Sequence, residues 1–417
     1  MAAYFVILTL LMTLSMLALW FPKYQKVAAY ISTIFLILFA GLRFETGYDW
    51  QGYESFYREI FGLKGIMCTG IPKLLLVVEP LFFSLNILFK SFTAKIVYLN
   101  FFIAFFNLAL IHWVVSKISR SVPQMWMLYF GLAFLIAQMT TIRQGMASSL
   151  ILLSLYFVSE QQIKKALFTL AISMGFHISS IIFLPVLILR KHFPTKNIIF
   201  SIVFFGVICA VSGVQIQNYI FKFASTIPGL WMAAKFSSYF NSNHAISMGA
   251  LAVVFYHFVI LAILILKTTD GEKKSSIVIV TTWVTLLSII SHLYFPGLPS
   301  IWNRVMFVAL PLQMATLYNL EFMKISSRQF LTLSFIGIFV VSSASLFYSL
   351  KKESAEPFKP YYSVLSDVSH RIPDWRMKNF EDVVASNEKI NKGQLTAGPR
   401  RELFEPLLTP IFDIYCR

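Results

Sequence analysis

Long apolar runs separated by short polar and basic breaks set the pattern of this chain. A helix needs about 17 to 25 apolar residues to cross a bilayer. Runs of that order lie near residues 2–21, 27–43, 96–115, 124–140, 144–158, 197–214, 247–266, 277–295, 304–321 and 329–349. Two other segments depart from it. Residues 74–92 interleave Glu79, Pro80, Ser84, Asn86 and Lys90 with apolar positions, as in a helix lying along the interface. Residues 166–189 are apolar but interrupted by Gly175, Phe176 and His177, with Ser179, Ser180 and Pro185 beyond. Each arm around His177 has roughly twelve residues and reaches about 18 Å, short of a ~30 Å hydrocarbon core. The pattern predicts a re-entrant pair, which is tolerated where protein or a wet cavity covers it. The expected fold is all-α: a polytopic integral membrane protein with about ten full transmembrane helices plus that pair. Residues 1–349 form the membrane domain, and 350–417 a mixed-charge tail of short helices packed on its outer surface.

Lysine and arginine set the orientation. With Lys23 and Lys26 inside the cell, alternation also places Lys117, Arg120, Lys164 and Lys273 inside. The N-terminus and the tail then lie outside. A single kinked span at 166–189 with a span at 74–92 is the alternative, and it leaves more basic residues outside. Composition agrees with a membrane protein: the chain is 57% hydrophobic with mean hydropathy +0.71, too apolar to be soluble. The net charge of +16 is scattered in short inter-helix clusters, so it follows the positive-inside rule rather than marking a nucleic-acid partner. The N-terminal apolar stretch lacks a basic leader and reads as the first span. Cys68, Cys209 and Cys416 show no paired spacing, which gives neither a disulfide framework nor a zinc site. On this topology Cys68 and Cys416 share the outer compartment.

That topology leaves a set of costly polar residues on one side: Arg43, Asp49, Glu79, Arg143, His177, Asn303 and Arg304. Taken singly, each arginine reads as a headgroup anchor, His177 as a hydrogen-bonded tip, and Glu79 before Pro80 as a helix cap. Their coincidence on one face reads as a site, since ionisable groups at membrane depth face a bundle interior or a wet cavity. Arg143 and Arg304 open spans, and a guanidinium at a helix N-terminus is a strong anion site. Three arginines facing one cavity would hold a diphosphate. A base for a hydroxyl group would be His177, which titrates near neutrality, or Glu79 if burial raises its pKa, with Asp49 orienting the loop. No carboxylate pair has metal-ligand spacing, so neither a metal nor another cofactor is expected. Trp50, Tyr53, Phe56, Tyr57, Trp231, Tyr239 and Phe240 offer aromatic surface for sugars, or an interfacial belt.

Arg43-x3-Gly47-x-Asp49-x3-Tyr53, Glu79-Pro80-Leu81-Phe82, Arg143-Gln144, Phe176-His177-x-Ser179, Asn303-Arg304 and Pro360-Tyr361-Tyr362 follow one another in the order seen in the EpsG/Wzy-type polysaccharide polymerases, which the chain resembles over nearly its whole length. Tyr48 stands where that family usually has a small hydroxyl residue. The resemblance implies a GT-C-like glycosyltransferase of the bacterial inner membrane, multi-pass, with its site facing the periplasm. It would move a growing undecaprenyl-diphosphate-linked glycan onto a lipid-linked repeat unit of O-antigen, capsule or exopolysaccharide. Its partners would be the two lipid-linked oligosaccharides, membrane lipids, and a chain-length regulator and flippase of the same pathway. Arg43, Arg143, Arg304, Tyr53 and Asn303 would bind substrate, and His177, Glu79 and Asp49 would serve catalysis. Two other classes compete. A lipid-linked-oligosaccharide flippase should show repeats and midplane charges, and an acyltransferase acting on the same glycan would not need several arginines.

Overall fold

The structure, a computed structural model, describes residues 1–63, 78–120, 122–212, 216, 219, 248–268, 275–295, 298–319, 328–351, 357–359 and 361–365. Cys68, Cys416, Trp231, Tyr239, Phe240 and most of the tail lie outside them. All ten predicted spans are helices: α1 (Ala2–Trp20), α2 (Gln25–Gly41), α5 (Ile96–Ile118), α6 (Val122–Thr140), α7 (Ile142–Ser159), α10 (Lys196–Ser212), α11 (Met248–Thr268), α12 (Ser276–Tyr294), α13 (Pro299–Asn319) and α14 (Arg328–Lys351). Among the described residues, six are long and apolar enough to cross a bilayer: α1, α2 counted from Pro22, α5, α6, α7 and α12. Between these run α3 (Trp50–Glu59), α4 (Pro80–Phe92), α8 (Ile163–Phe176), a 3-10 segment Ile178–Phe183 and α9 (Leu184–Leu189).

Proline explains two of the boundaries. Pro22 cannot continue α1, and Pro80 opens α4, where its missing N–H costs nothing. The helices leave rows of large apolar side chains uncovered, including Tyr30, Ile34, Phe105, Phe168 and Phe200. A surface of that kind is compatible with lipid and not with water. The chain is a polytopic all-α membrane protein.

The most enclosed span is α6. Trp126, Tyr129, Phe130 and Phe134 are fully buried at its centre. From Phe130 to Thr140 it widens into a π-helix, with Thr141 N–H donating to Ile136 O at 2.9 Å. Such segments are rare and often mark functional sites. The widening accompanies close contact: a Cβ on Gly131 would stand 2.5 Å from Ser342 Cα of α14.

The helix breaks at His177, where the sequence places the tip of a re-entrant pair. The Ser173 and Ser180 hydroxyls lie 2.6 Å apart, whereas seven residues along a straight helix span about 10.5 Å. Beyond the break the chain returns to His192, whose carbonyl accepts from Trp283 Nε1 at 2.7 Å, partway along α12. The 14 residues of α8 and 13 of α4 reach only about 20 Å each, so neither crosses a bilayer alone. α4 starts at Pro80, later than predicted, and packs beside the tip, with Gly175 against Leu81.

One feature departs from the all-α expectation. Arg43–Phe44 and Tyr362–Ser363 form a two-residue antiparallel ladder, β1 and β2, in the register Arg43 to Ser363 and Phe44 to Tyr362. The described part of the tail is fastened to the bundle by side chains too. Tyr4 donates to Phe358 O and Tyr361 to Phe39 O, each at 2.7 Å, and the Tyr361 ring stacks on Phe39 at 4.4 Å.

The two ends of the bundle differ in chemistry. At one end Gln25, after Lys23, donates to Arg120 O, and Gln161, before Lys164, donates to Ser276. Glu79, Arg143, His177 and Arg304 gather a helix length away, at the other, where Arg43 also lies at the end of α2.

Candidate active site

The turn after α2 is built to hold a loop against the end of α6. Gly47 adopts φ +110°, and a Cβ there would collide with Met139 O. That leaves glycine as the residue that fits. Gly47 N–H donates to Pro357 O at 3.0 Å, and Tyr48 N–H to Thr140 Oγ1 at 3.4 Å. The loop then runs through Asp49 into α3, which presents Tyr53.

Glu79 sits at the N-cap of α4, but its carboxylate does not cap that helix. It is 3% exposed and divides its oxygens between two partners. Oε2 accepts from Arg143 Nη1 at 2.9 Å, and Oε1 lies 3.8 Å from His177 Nδ1. Arg143, in the first turn of α7, lays its guanidinium 5.8 Å from the ring centres of both Tyr53 and Phe82. This is the cation–π arrangement that suits arginine. Its Nε–H is buried and has no hydrogen-bond partner among the described residues.

The next residue carries the connection onward. With its amide oxygen turned to Arg304, Gln144 accepts from Nε at 2.9 Å and Nη2 at 3.1 Å. The same oxygen lies 3.4 Å from His177 Nε2. Ser179 N–H points at His177 Nδ1 from 3.3 Å, and Ser179 Oγ lies 3.0 Å from that nitrogen. Nδ1 is therefore the acceptor, and the ring proton sits on Nε2, facing Gln144.

The remaining expected residues fall around this group. Burial raises the Asp49 carboxyl above the usual carboxylate range, and the Arg143 charge opposes that shift. Burial likewise raises the Tyr53 hydroxyl, again opposed by Arg143, then raised further by Asp49. Asn303 is half-buried in the second turn of α13 and makes no hydrogen bond to the group among the described residues. Among those residues no three His, Cys, Asp or Glu side chains converge, so the acids here answer arginine instead.

Arg43 lies elsewhere. It lines a cavity of about 900 Å³ bounded by the end of α2, by α3 and by the start of α5; Arg143, Arg304, Glu79 and His177 are not part of its wall. Tyr53 borders both places. The three arginines thus form two groups, Arg143 with Arg304 and Arg43 apart.

Several residues that carry this geometry were given no role from the sequence. Gln144 and Ser179 fix the ring of His177. Beneath them runs a buried chain: Tyr129, Gln138, Asn107 and Ser149 are linked by bonds of 3.0, 3.2 and 3.3 Å. A Cβ on Gly145 would stand 2.5 Å from Ala137 O, so α7 starts pressed against the π segment. The available signal was polar residues inside the runs 96–115 and 124–140, where Asn and Gln are costly without partners.

Comparison with curated proteins and with solved structures gives no match. The EpsG family model matches residues 26–363, from the start of α2 through the tail strand that pairs with Arg43. That stretch holds every residue of the cluster and all of the Arg43 cavity lining but Val364, and the chain belongs to the EpsG family.

Proposed function

We propose that this protein is a polysaccharide polymerase of the bacterial inner membrane. Family membership supports a polymerase-type role at a membrane. The finer reading is transfer of a growing glycan from one lipid diphosphate onto the terminal sugar of another lipid-linked unit, on the outer side. The observation that carries it is the placement of Glu79, buried between Arg143 and His177, with Arg304 one amide beyond. Glycosyl transfer from a diphosphate needs a base for the acceptor hydroxyl and cationic donors for the leaving group. The cluster holds both within one turn of α7. The basic residues at the opposite end support the outward orientation.

In this mechanism the acceptor oxygen attacks the anomeric carbon as its bond to the diphosphate oxygen breaks. The hydroxyl proton passes to His177 at Nδ1, the ring nitrogen that carries no proton and that the acceptor hydroxyl reaches in place of Ser179, and the electron pair leaves with the diphosphate. Glu79, 3.8 Å away, offsets the imidazolium charge. Arg143 Nε–H and Arg304 meet the developing charge on the leaving oxygens, and no metal takes part. A carboxylate already shared between a guanidinium and an imidazole is an orienting group, so His177 is the base and Glu79 its counter-charge. Asp49, in the field of Arg143, organises the loop.

The test uses purified protein, lipid-linked repeat units and EDTA, with product ladders resolved on a gel. His177→Gln should lower turnover by about 10²- to 10⁴-fold. If His177→Gln keeps its ladder while Glu79→Gln loses it, the base is Glu79. Arrest by EDTA overturns the metal-free mechanism, and a transported but unchanged unit or an acylated one overturns the polymerase reading.

A further inference from the structure

The cavity beside Arg43 has no place in the chemistry above, and two of its polar groups lack the partners that burial demands. Arg43 is only 6% exposed, and its guanidinium donates to Ala40 O. No carboxylate pairs with it among the described residues. A buried cation without a counter-charge is costly. Burial depresses it to about 10, and it remains cationic at neutral pH. Asn100, on the opposite wall, has a buried Oδ1 with no hydrogen-bond partner among the described residues. The rest of the polar lining is mixed in charge: Arg58 is paired with Glu54 at 2.9 Å, and Lys95 and Glu45 stand beside Trp50, Tyr53 and Thr46.

The cavity has an apolar continuation. Tyr98 also belongs to an adjoining groove of about 580 Å³, lined by Leu85, Leu88, Phe89, Phe92 and Phe102 between α4 and α5. Leu88 is 53% and Phe92 82% exposed, so this groove opens to the surroundings. A chamber with a buried guanidinium that no carboxylate meets, a basic excess of one (Arg43, Arg58 and Lys95 against Glu45 and Glu54) and aromatic walls, leading into an open hydrocarbon groove, has the chemistry to take an amphiphile with a phosphate head.

We propose that the Arg43 cavity seats the diphosphate of the acceptor lipid, with its prenyl chain in the Leu88–Phe92 groove, while the Arg143–Arg304 cluster takes the donor's diphosphate. The assignment rests on the polymerase reading and follows from its stoichiometry. The donor's diphosphate is bonded to the reacting carbon, so it must sit at the base. The acceptor's diphosphate lies a whole oligosaccharide away from its reacting hydroxyl, so its seat must be separate from His177. The Arg43 cavity is separate, and Tyr53 forms the wall between. Its volume is within the range of small-molecule sites, about 300 to 1,000 Å³, enough for a diphosphate and the first sugar.

The test separates the two acceptor forms. The donor is a lipid-linked unit whose accepting hydroxyl is removed. The acceptor is either the diphosphate-linked unit or the same oligosaccharide as a neutral alkyl glycoside, with the protein in nanodiscs. Wild type should favour the diphosphate-linked acceptor at least tenfold in KM. Arg43→Ala should erase that preference, and Lys95→Ala, at an exposed position where the fold is safe, should reduce it severalfold. A preference that survives Arg43→Ala, or equal losses on both acceptors, overturns the proposal. Geranylgeranyl diphosphate binding, read by calorimetry, tests the seat without any transfer reaction. It should weaken at least tenfold in Arg43→Ala, and geranylgeraniol should bind too weakly to compete. Equal competition by phosphatidylglycerol would make the occupant an ordinary phospholipid and overturn the assignment. If no acceptor is ever glycosylated but the prenyl diphosphate still binds through Arg43, the polymerase reading fails and the seat stands. Transfer with Arg43-independent binding has the reverse meaning.

Discussion

Arg143 and Arg43 border the same tyrosine, and they are held by opposite means. Arg143 meets a carboxylate at 2.9 Å and two aromatic rings, and through Glu79 and Gln144 it belongs to a connected polar group. Arg43 is at least as deeply buried, and among the described residues its hydrogen-bond partner is a backbone carbonyl. The first arrangement is compensated within the protein and keeps its geometry without a ligand, as catalysis requires. The second holds an unsatisfied charge, and a bound anion relieves that cost. Burial of an arginine therefore says little until its partners are counted. The paired arginine orients chemistry, and the unpaired one waits for a ligand.

The largest expected effect comes from breaking the compensated side. Arg143→Ala leaves Glu79, 3% exposed, without its guanidinium. Stranding one member of a buried pair costs about 3 to 5 kcal/mol. Arg143 itself is 30% exposed, so water softens the loss and roughly 3 kcal/mol is the figure to expect. Polymer should vanish as well. Adding Glu79→Gln should restore most of the melting temperature in detergent without restoring polymer. If Arg143→Ala melts like wild type, the pair is not the anchor of the site.

The uncompensated side should respond with the opposite sign. Arg43→Met keeps the side-chain volume and removes a charge that no carboxylate pairs with among the described residues. Replacing buried ionic groups by apolar ones is often stabilising, by about 1 to 4 kcal/mol. The ligand-free protein should melt at a higher temperature, by an amount near the low end of that range because the Ala40 bond is lost. Added geranylgeranyl diphosphate should raise the wild-type melting temperature and not the variant's. A lower melting temperature for Arg43→Met would place Arg43 among structural residues.

Much of this frame was legible in the sequence, for definite reasons. Apolar runs fix helices because lipid leaves the backbone no other partner, and the Gly175-Phe176-His177 break marked a reversal because neither arm could span. The polar residues of one face were legible as a set once the lysines gave an expected orientation. Their lateral arrangement was not, because nothing in a single chain measures distance across a bundle. Glu79 and Arg143 are 64 residues apart and touch; Arg43 and Arg143 share a topological face and fall into different chambers. The ladder from Arg43 to Ser363 and the π segment of α6 are also products of tertiary contact. Neither two-residue strand has a pattern of its own, and the π turns answer the approach of α14 at Gly131.

The smallest effect probes the boundary between the two regions. Asp49 leads into α3, the helix that carries Tyr53, and the surrounding protein raises its carboxyl, with the charge of Arg143 pulling the other way. The sign follows from linkage. An acid whose pKa is higher in the folded state binds its proton more tightly there. Its contribution is most favourable at low pH, where it is protonated in both states, and declines as pH rises through the folded value. Asp49→Asn removes the ionisation. The variant should therefore melt slightly above wild type at neutral pH, and the gap should close as pH falls below about 4, the ordinary aspartate range. The residue itself keeps more than a third of its surface exposed, so solvent screens much of the shift and the effect should be well below that of either arginine. The opposite sign, with Asp49→Asn less stable at neutral pH and equal at low pH, would mean that attraction to Arg143 outweighs burial. Asp49 would then belong with Glu79 on the compensated side, and the boundary between the chambers would lie closer to Tyr53.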